Sequence, residues 1–379
     1  MNPVMAGDLG IGDGYPPRIM GVLNISEESP YDPSVFTDAT AAATYIDETL
    51  ISAGADIVDI GLASANKRFD VLSAEEELAR LDTAIEAIDR ASGDAVFSIE
   101  TRYASVADTA LEHGFHLVND ICGFADPAMP EICEKHGVPA VKMAGPGDLE
   151  RPGAIAAVDD IFDALLAEPL TEQTIIDPAF GGWSEDKDLA ADQETFDRLR
   201  EFAAIDRPLL VSINRKNFLR KPLGRSTEEA LPVSLAATSL AVERGADIIR
   251  THDVAKTKDA AMIGHAFRDT KETLTNDGIR VLPVNNEREL KRHLERIGAG
   301  KASAADGITK VIELGNLNQI DRTLIINIAQ DVGAHAVEGR KDAPLLVLGT
   351  SRALRNFQDR LEAESPDISN SLAIVLERS

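Results

Sequence analysis

The chain has 379 residues, 44% of them apolar and 27% charged. That is enough apolar material for a sizeable core, and it argues against a disordered chain. Acidic residues outnumber basic ones 64 to 38, for a formal charge of -26. A field of that sign repels nucleic acid and anionic membranes, which excludes both as default partners but leaves room for a local basic pocket.

The cations are 13 Lys and 25 Arg against 35 Asp and 29 Glu. Excess acid with sparse lysine suits a cytoplasm of high salt, where screening relieves self-repulsion. Cys122 and Cys133 form neither a CxxC pair nor a disulfide framework. No apolar run reaches the length of a membrane span, and the N-terminus lacks the pattern of a signal peptide. The expectation is a soluble protein of a reducing cytoplasm.

Residues 1–18 read as a Gly/Pro-rich lead. Ile/Val-rich runs then predict eight strands, at 18–24, 55–61, 95–100, 116–120, 139–143, 174–178, 208–213 and 246–252. Segments of helical period follow each of them: 38–53, 74–91, 102–113, 128–136, 155–169, 192–204, 225–244 and 258–275. Eight βα repeats predict an α/β fold, a (β/α)8 TIM barrel. An open doubly wound sheet is less suited, because no GxGxxG loop follows any strand. From 279 the rhythm changes. Strands at 278–284, 308–314, 344–349 and 371–377, with helices at 286–297, 320–333 and 350–363, predict a small C-terminal α/β domain. The division expected is 1–278 and 279–379. The loop GAGKASAADG (298–307) lacks the spacing of a phosphate loop and reads as a flexible surface loop.

Polar residues gather where a barrel keeps its chemistry, at the C-terminal strand ends. In strand order they are Asn24, Asp59, Glu100, Asn119 with Asp120, Lys142, Asp177, then Asn214-Arg215-Lys216, and finally Arg250, His252 and Asp253. Such a ring suits a polar, partly anionic ligand. Glu100 and Asp177 can accept from the N–H edge of an amino-heterocycle, Asn119 can give and accept there, and Lys216 can donate to it. Arg250 and His252 suit a phosphate or pyrophosphate, and Asn24 could ligate a magnesium ion carried by it. Asp59 reads equally as a structural acceptor or a catalytic group. Asp253 and Lys256 read as a rim pair, and Asp186–Lys187 as solvated surface. The histidines share no metal-ligand spacing.

Five segments carry a specific resemblance: MGVLNISEESPYDPS (20–34), SIETRYASVADTALEHGFHLVNDICG (98–123), TIIDPAFG (174–181), SINRKNFL (212–219) and GADIIRTHDV (245–254). In order and register, the chain over 18–275 resembles dihydropteroate synthase. The resemblance implies a magnesium-assisted condensation of 6-hydroxymethyl-7,8-dihydropterin pyrophosphate with p-aminobenzoate, in a homodimer formed through the late barrel helices. It implies that Asn24 holds the metal-bound pyrophosphate and that Asp32 is the acid of the first loop. Glu100, Asn119, Asp177 and Lys216 would grip the pterin, while Arg250 and His252 bind pyrophosphate. Asn214 stands at the serine of a Ser-Arg-Lys motif, and Glu100 stands where the family has Asp.

The second loop departs from the family. Where GGESTRPG is usual, this chain has GLASANKRF (61–69), so Glu, Thr and Arg become Ala63, Ala65 and Asn66. Lys67 or Arg68 could supply the missing cation. Two alternatives follow from this divergence: condensation with a different arylamine, or a pterin-binding paralogue without synthase activity.

Overall fold

A computed structural model describes residues 3–26, 34–63, 71–150, 153–167, 169–181, 187–268, 282, 284–315, 317–339 and 343–378. The chain divides into two compact units, 1–270 and 271–379.

The first unit opens with a hairpin, β1 (Val4–Ala6) and β2 (Leu9–Ile11), paired antiparallel. Eight parallel strands follow: β3 (Arg18–Asn24), β4 (Ile57–Gly61), β5 (Val96–Thr101), β6 (Leu117–Asp120), β7 (Ala140–Met143), β8 (Thr174–Asp177), β9 (Leu210–Val211) and β10 (Ile248–Thr251). They hydrogen-bond in the order β8-β7-β6-β5-β4-β3-β10-β9. The parallel bridge Ile176–Leu209, with Ile176 N–H donating to Pro208 O at 2.9 Å, joins β8 to β9 and closes the ring. The expected (β/α)8 barrel is what forms.

Helices separate successive strands: α1 (Ala39–Tyr45), α2 (Ala74–Arg90), α3 (Ala104–Glu112), α4 (Met129–His136), α5 (Val158–Leu166), α6 (Leu189–Asp197), α7 (Asn217–Arg220) with α8 (Leu231–Glu243), and α9 (Val254–Phe267). A π-helical turn, Ile46–Ile51, extends α1, and a 3₁₀ segment, Leu199–Ile205, follows α6. The start of α2 shows how local sequence sets a boundary. Ser73 accepts from Glu76 N–H while Glu76 accepts from Ser73 N–H at 2.8 Å, a reciprocal cap. Leu81, Ala84, Ala87 and Ile88 then bury one face of that helix.

Strand alternation splits the barrel into two cores. Outward residues such as Ile19, Val58, Ile99 and Ile249 pack beneath the helices. Inward, one residue from every strand forms an apolar floor: Met20, Ile57, Val96, Leu117, Val141, Ile175, Leu210 and Ile248. Val4, Ala6 and Ile11 of the hairpin pack on it, each fully buried. The residues expected to be a lead are therefore a plug on the N-terminal mouth. Short strands flanked by glycines hid it in the sequence.

The second unit contains α10 (Glu287–Arg296), a 3₁₀ turn at Lys301–Asp306, β11 (Thr309–Leu314), α11 (Gln319–Asp331), β12 (His335–Val337), β13 (Leu345–Thr350), α12 (Ser351–Glu364) and α13 (Pro366–Arg378). Its antiparallel sheet runs β11-β13-β12. Two expectations fail here. The run 371–377 is helical, because Ile368, Leu372 and Leu376 recur every four residues on the face that meets the core. The loop 298–307 is not open chain, since a 3₁₀ turn occupies it and Ala304 is fully buried. Most of the strand expected at 278–284 lies outside the described residues.

Because the plug completes the floor, Ile11→Ala should destabilise the barrel by about 2–5 kcal/mol, as buried Ile truncations do. Urea unfolding would check this. A loss below about 0.5 kcal/mol, the range of surface changes, would mean that the hairpin merely rests on the mouth.

Candidate active site

Above the apolar floor the lumen turns polar, and strand register aligns the change. Asn24 pairs with Gly61, Gly61 with Glu100, and Glu100 with Asn119, giving one row across β3, β4, β5 and β6. One pleat deeper, Asp59 pairs with Ser98. The row itself falls at the C-terminal ends of its strands.

Asp59 is fully buried and is the hub. Its Oδ1 accepts from Ser98 Oγ at 2.7 Å. Its Oδ2 accepts from Asn119 Nδ2 at 3.0 Å and from Arg250 Nε at 2.7 Å. Arg250 also donates through Nη2 to Glu100 Oε2 at 2.5 Å. Of the two readings that the sequence left for Asp59, the geometry favours the structural acceptor, though one that directly grips site residues. Burial works against charge on Arg250, but Glu100 and Asp59 outweigh it and hold the guanidinium above its ordinary value. Burial raises Glu100, while Arg250 pulls it down.

Across the lumen stand Asp177 and Lys216. Ala179 N–H donates to Asp177 Oδ1 at 2.7 Å. Burial pushes this carboxyl up to about 6, opposed by that hydrogen bond and by Lys216. Burial and then Arg250 lower Lys216, while Asp177 supports its charge. Gly181, at φ +110°, leaves Lys216 its place, since a Cβ there would stand 3.0 Å from Nζ. The turn carrying Asp177 is braced from behind. Lys187 Nζ donates to Ala179 O at 2.8 Å and pairs with Asp192 at 3.4 Å, and Asp192 accepts from Gly181 N–H. Lys187 is thus a buried brace rather than the solvated surface expected, and a neighbouring acid in the sequence disguised it.

At the rim, Asn214 donates to Asp253 Oδ2 at 3.0 Å and faces His252 N–H through Oδ1 at 3.5 Å. Asp253 takes a two-pronged pair from Arg215, at 2.8 and 2.9 Å, in place of the expected Lys256. Both ends of the Asn214 amide are used on the loop that carries His252. Burial, then Arg250, pushes His252 down to about 3. Near neutral pH its ring is uncharged and would meet an anion as an N–H donor rather than a cation. Lys142 leaves the ring altogether, because its position in β7 alternates outward, and it donates to Ala167 O beside the Phe124 ring. Asp32, Lys67 and Arg68 lie outside the described residues. Cys122 and Cys133 are buried, their thiols pushed up to about 12, and neither is poised as a nucleophile.

A magnesium ion has a limited fit. Among the described residues, no three His, Cys, Asp or Glu side chains gather as a cage. Asn24 Nδ2 donates to Ser34 Oγ at 2.8 Å, and Oδ1 lies on the Gly61 side. One neutral hard oxygen suits an ion that arrives already held by phosphate oxygens.

The combination of an acceptor-rich lumen, a buried lysine and a phosphate-compatible rim coincides with a family match. A model described as pterin binding enzyme matches residues 20–252. The chain belongs to the pterin binding enzyme family. Among its relatives is a probable bifunctional folylpolyglutamate synthase/dihydropteroate synthase of Haloferax volcanii, 32% identical over 68% of this chain. That match spans only 32% of the relative, so the chain corresponds to about a third of its length. The dihydropteroate synthase of Escherichia coli is 30% identical over 68% of this chain and 93% of its own. A Coxiella burnetii dihydropteroate synthase solved with pteroic acid superposes with a TM-score of 0.59 at 28% identity, covering 69% of this chain and 96% of that one.

For this family member, the raised Asp177 makes a signed prediction. A carboxyl lifted from 3.8 to about 6 on folding contributes stability below 3.8 that is lost as pH rises through 6. Between pH 4 and 7, wild type should therefore lose up to about 3 kcal/mol relative to Asp177→Asn. Urea unfolding of both proteins across that range measures the difference, and parallel pH profiles would contradict the burial of an ionisable Asp177.

Proposed function

We propose that the chain is a dihydropteroate synthase. It joins 6-hydroxymethyl-7,8-dihydropterin pyrophosphate to p-aminobenzoate, giving 7,8-dihydropteroate and pyrophosphate. The row Asn24–Gly61–Glu100–Asn119, facing Asp177 and Lys216, carries this reading. Family membership supports it, as does the relative bound to pteroic acid, which is a pterin already joined to p-aminobenzoate.

In this reading Glu100, Asn119 and Asp177 face the 2-amino-4-oxo edge of the pterin, and Lys216 donates to it. The amine nitrogen forms a bond to the methylene carbon as the carbon–oxygen bond to pyrophosphate breaks, and the amine releases its proton. Negative charge collects on the leaving group. Arg250, the neutral His252 and the metal-side Asn24 stabilise it there, an electrostatic role without a covalent enzyme intermediate. Asp32 supplies the acid of the first loop, by its place in the motif. Magnesium, held by Asn24 together with the phosphate oxygens, would neutralise pyrophosphate charge. Asn214 acts by holding the loop of His252.

The exposed Leu240 of α8 and Ile263 and Phe267 of α9, the last 76% exposed, support a homodimer through these helices. No helix among the described residues is long and apolar enough to cross a membrane. With the charge of -26 and the Haloferax relative, this supports a protein working in a salt-rich cytoplasm.

A pyrophosphate-release assay at molar KCl, with light scattering on the same sample, tests the reading. Release should require p-aminobenzoate and fall when magnesium is chelated, from a particle of dimer mass whose activity declines at low salt. Pterin binding without release for any arylamine would favour the paralogue, and faster release with a larger arylamine would replace p-aminobenzoate as the substrate. Monomer mass, indifference to chelator or indifference to salt would each remove the corresponding claim.

A further inference from the structure

The turn that follows β8 is held in a backbone shape that its sequence does not favour. Ala179 sits at φ +60°, the left-handed region where a Cβ crowds the backbone, and it is 1% exposed. Its N–H is the donor to Asp177 Oδ1 at 2.7 Å, so the strained residue is also the one that orients this carboxylate. Two residues on, Gly181 leaves Lys216 its berth. Whatever keeps 179–181 in this shape therefore keeps Asp177 and Lys216 in place.

The hold comes from the start of α6. Asp188 caps that helix by accepting from Ala191 N–H at 2.8 Å. Lys187 lies just before the cap and Asp192 on the first turn after it, and both side chains are enclosed, at 0% and 4% exposed. Lys187 Nζ donates to Ala179 O at 2.8 Å. Asp192 accepts from Gly181 N–H through Oδ1 at 3.2 Å and Oδ2 at 3.1 Å. Burial works against the charge on Lys187, and Asp192 supports it. Ala179 is thus gripped on both sides, its N–H by Asp177 and its carbonyl by Lys187. Alanine keeps such a backbone only where its surroundings impose it. A buried ion pair contributes little net stability beside apolar residues of the same size. What this one supplies is direction, an ammonium for one carbonyl and a carboxylate for one N–H. The ring between the two gripped groups adds a second link. Phe180 stacks on Phe218 at 5.5 Å, and Phe218 is two residues after Lys216.

We propose that Lys187 and Asp192 are positioning residues for the pterin, acting through Ala179 and Gly181 to set Asp177 and Lys216. This rests on the synthase reading, in which those two groups grip the pterin. Without the ammonium, Ala179 relaxes toward an ordinary backbone conformation and its N–H leaves Asp177. The pterin should then bind more weakly, while the arylamine is met by other groups and keeps its affinity.

The experiment compares wild type with the paired variant Lys187→Met/Asp192→Asn. Both charges go together, so no unpaired charge stays buried, and asparagine keeps an oxygen for Gly181 N–H. Calorimetry with dihydropterin pyrophosphate alone should show affinity reduced by about tenfold. In steady-state kinetics the pterin KM should rise in step, and the arylamine KM should stay within about twofold. Adding Ala179→Gly should return pterin affinity to within about threefold of wild type, because glycine adopts the left-handed backbone without being forced. Unchanged pterin affinity, equal rises in both KM values, or no recovery with Ala179→Gly would overturn the proposal. If the paired variant does not fold, Asp192→Asn alone should still weaken pterin binding by about threefold, and an unchanged affinity there would be equally damaging. Amide hydrogen exchange separates this from failure of the synthase reading. Should wild type bind no pterin pyrophosphate, the Ala179 amide is still expected to exchange faster in the variant with β8 unchanged, and unaltered exchange overturns the brace.

Discussion

The half of the lumen formed by β4, β5, β6 and β10 depends on one buried carboxylate. Asp59 is fully enclosed, a position that strongly disfavours an unpaired charge. It accepts hydrogen bonds from β5, β6 and β10 through Ser98, Asn119 and Arg250. Removing it would leave Arg250 with Glu100 alone and Asn119 without its acceptor. In the proposed reaction Arg250 and Asn119 would thus be held before the substrate arrives, which is what electrostatic stabilisation of a leaving group requires. Beneath it, the floor and the hairpin plug fill the other mouth with buried apolar side chains.

The same burial sorts the site's charges. Asp177 is raised, Lys216 is lowered, and His252 is uncharged near neutral pH, each chiefly through desolvation. Arg250 keeps its charge, because two carboxylates flank it. An anion entering at the rim competes with Glu100 for that guanidinium. Glu100 makes this contact at 2.5 Å. In the proposed reaction, Glu100 would therefore serve the pterin side of the site and also bear on how the leaving group is received.

Much of this was legible in the sequence. The eight strands stand where Ile/Val runs place them, and the row from Asn24 to Asn119 is the ring read at the strand ends. What escaped did so for physical reasons. Strands of three residues, as in the plug, carry too little pattern to declare a period. The apolar run at 371–377 suits strand and helix alike, and only packing through Ile368, Leu372 and Leu376 decides. Lys142 could have been excluded by parity, since Val141 beside it points inward. Lys187 could not have been singled out, because what it holds is a backbone carbonyl, to which side-chain spacing gives no clue.

The most direct test of the account is calorimetric binding of dihydropterin pyrophosphate to Asp59→Asn. The substitution keeps the shape and removes the charge that holds Arg250 and Asn119. Affinity should fall by about tenfold or more, as expected when hydrogen bonds to a charged group are lost, while circular dichroism shows the barrel intact. Unchanged affinity in a folded variant would contradict the claim that Asp59 sets the site in place.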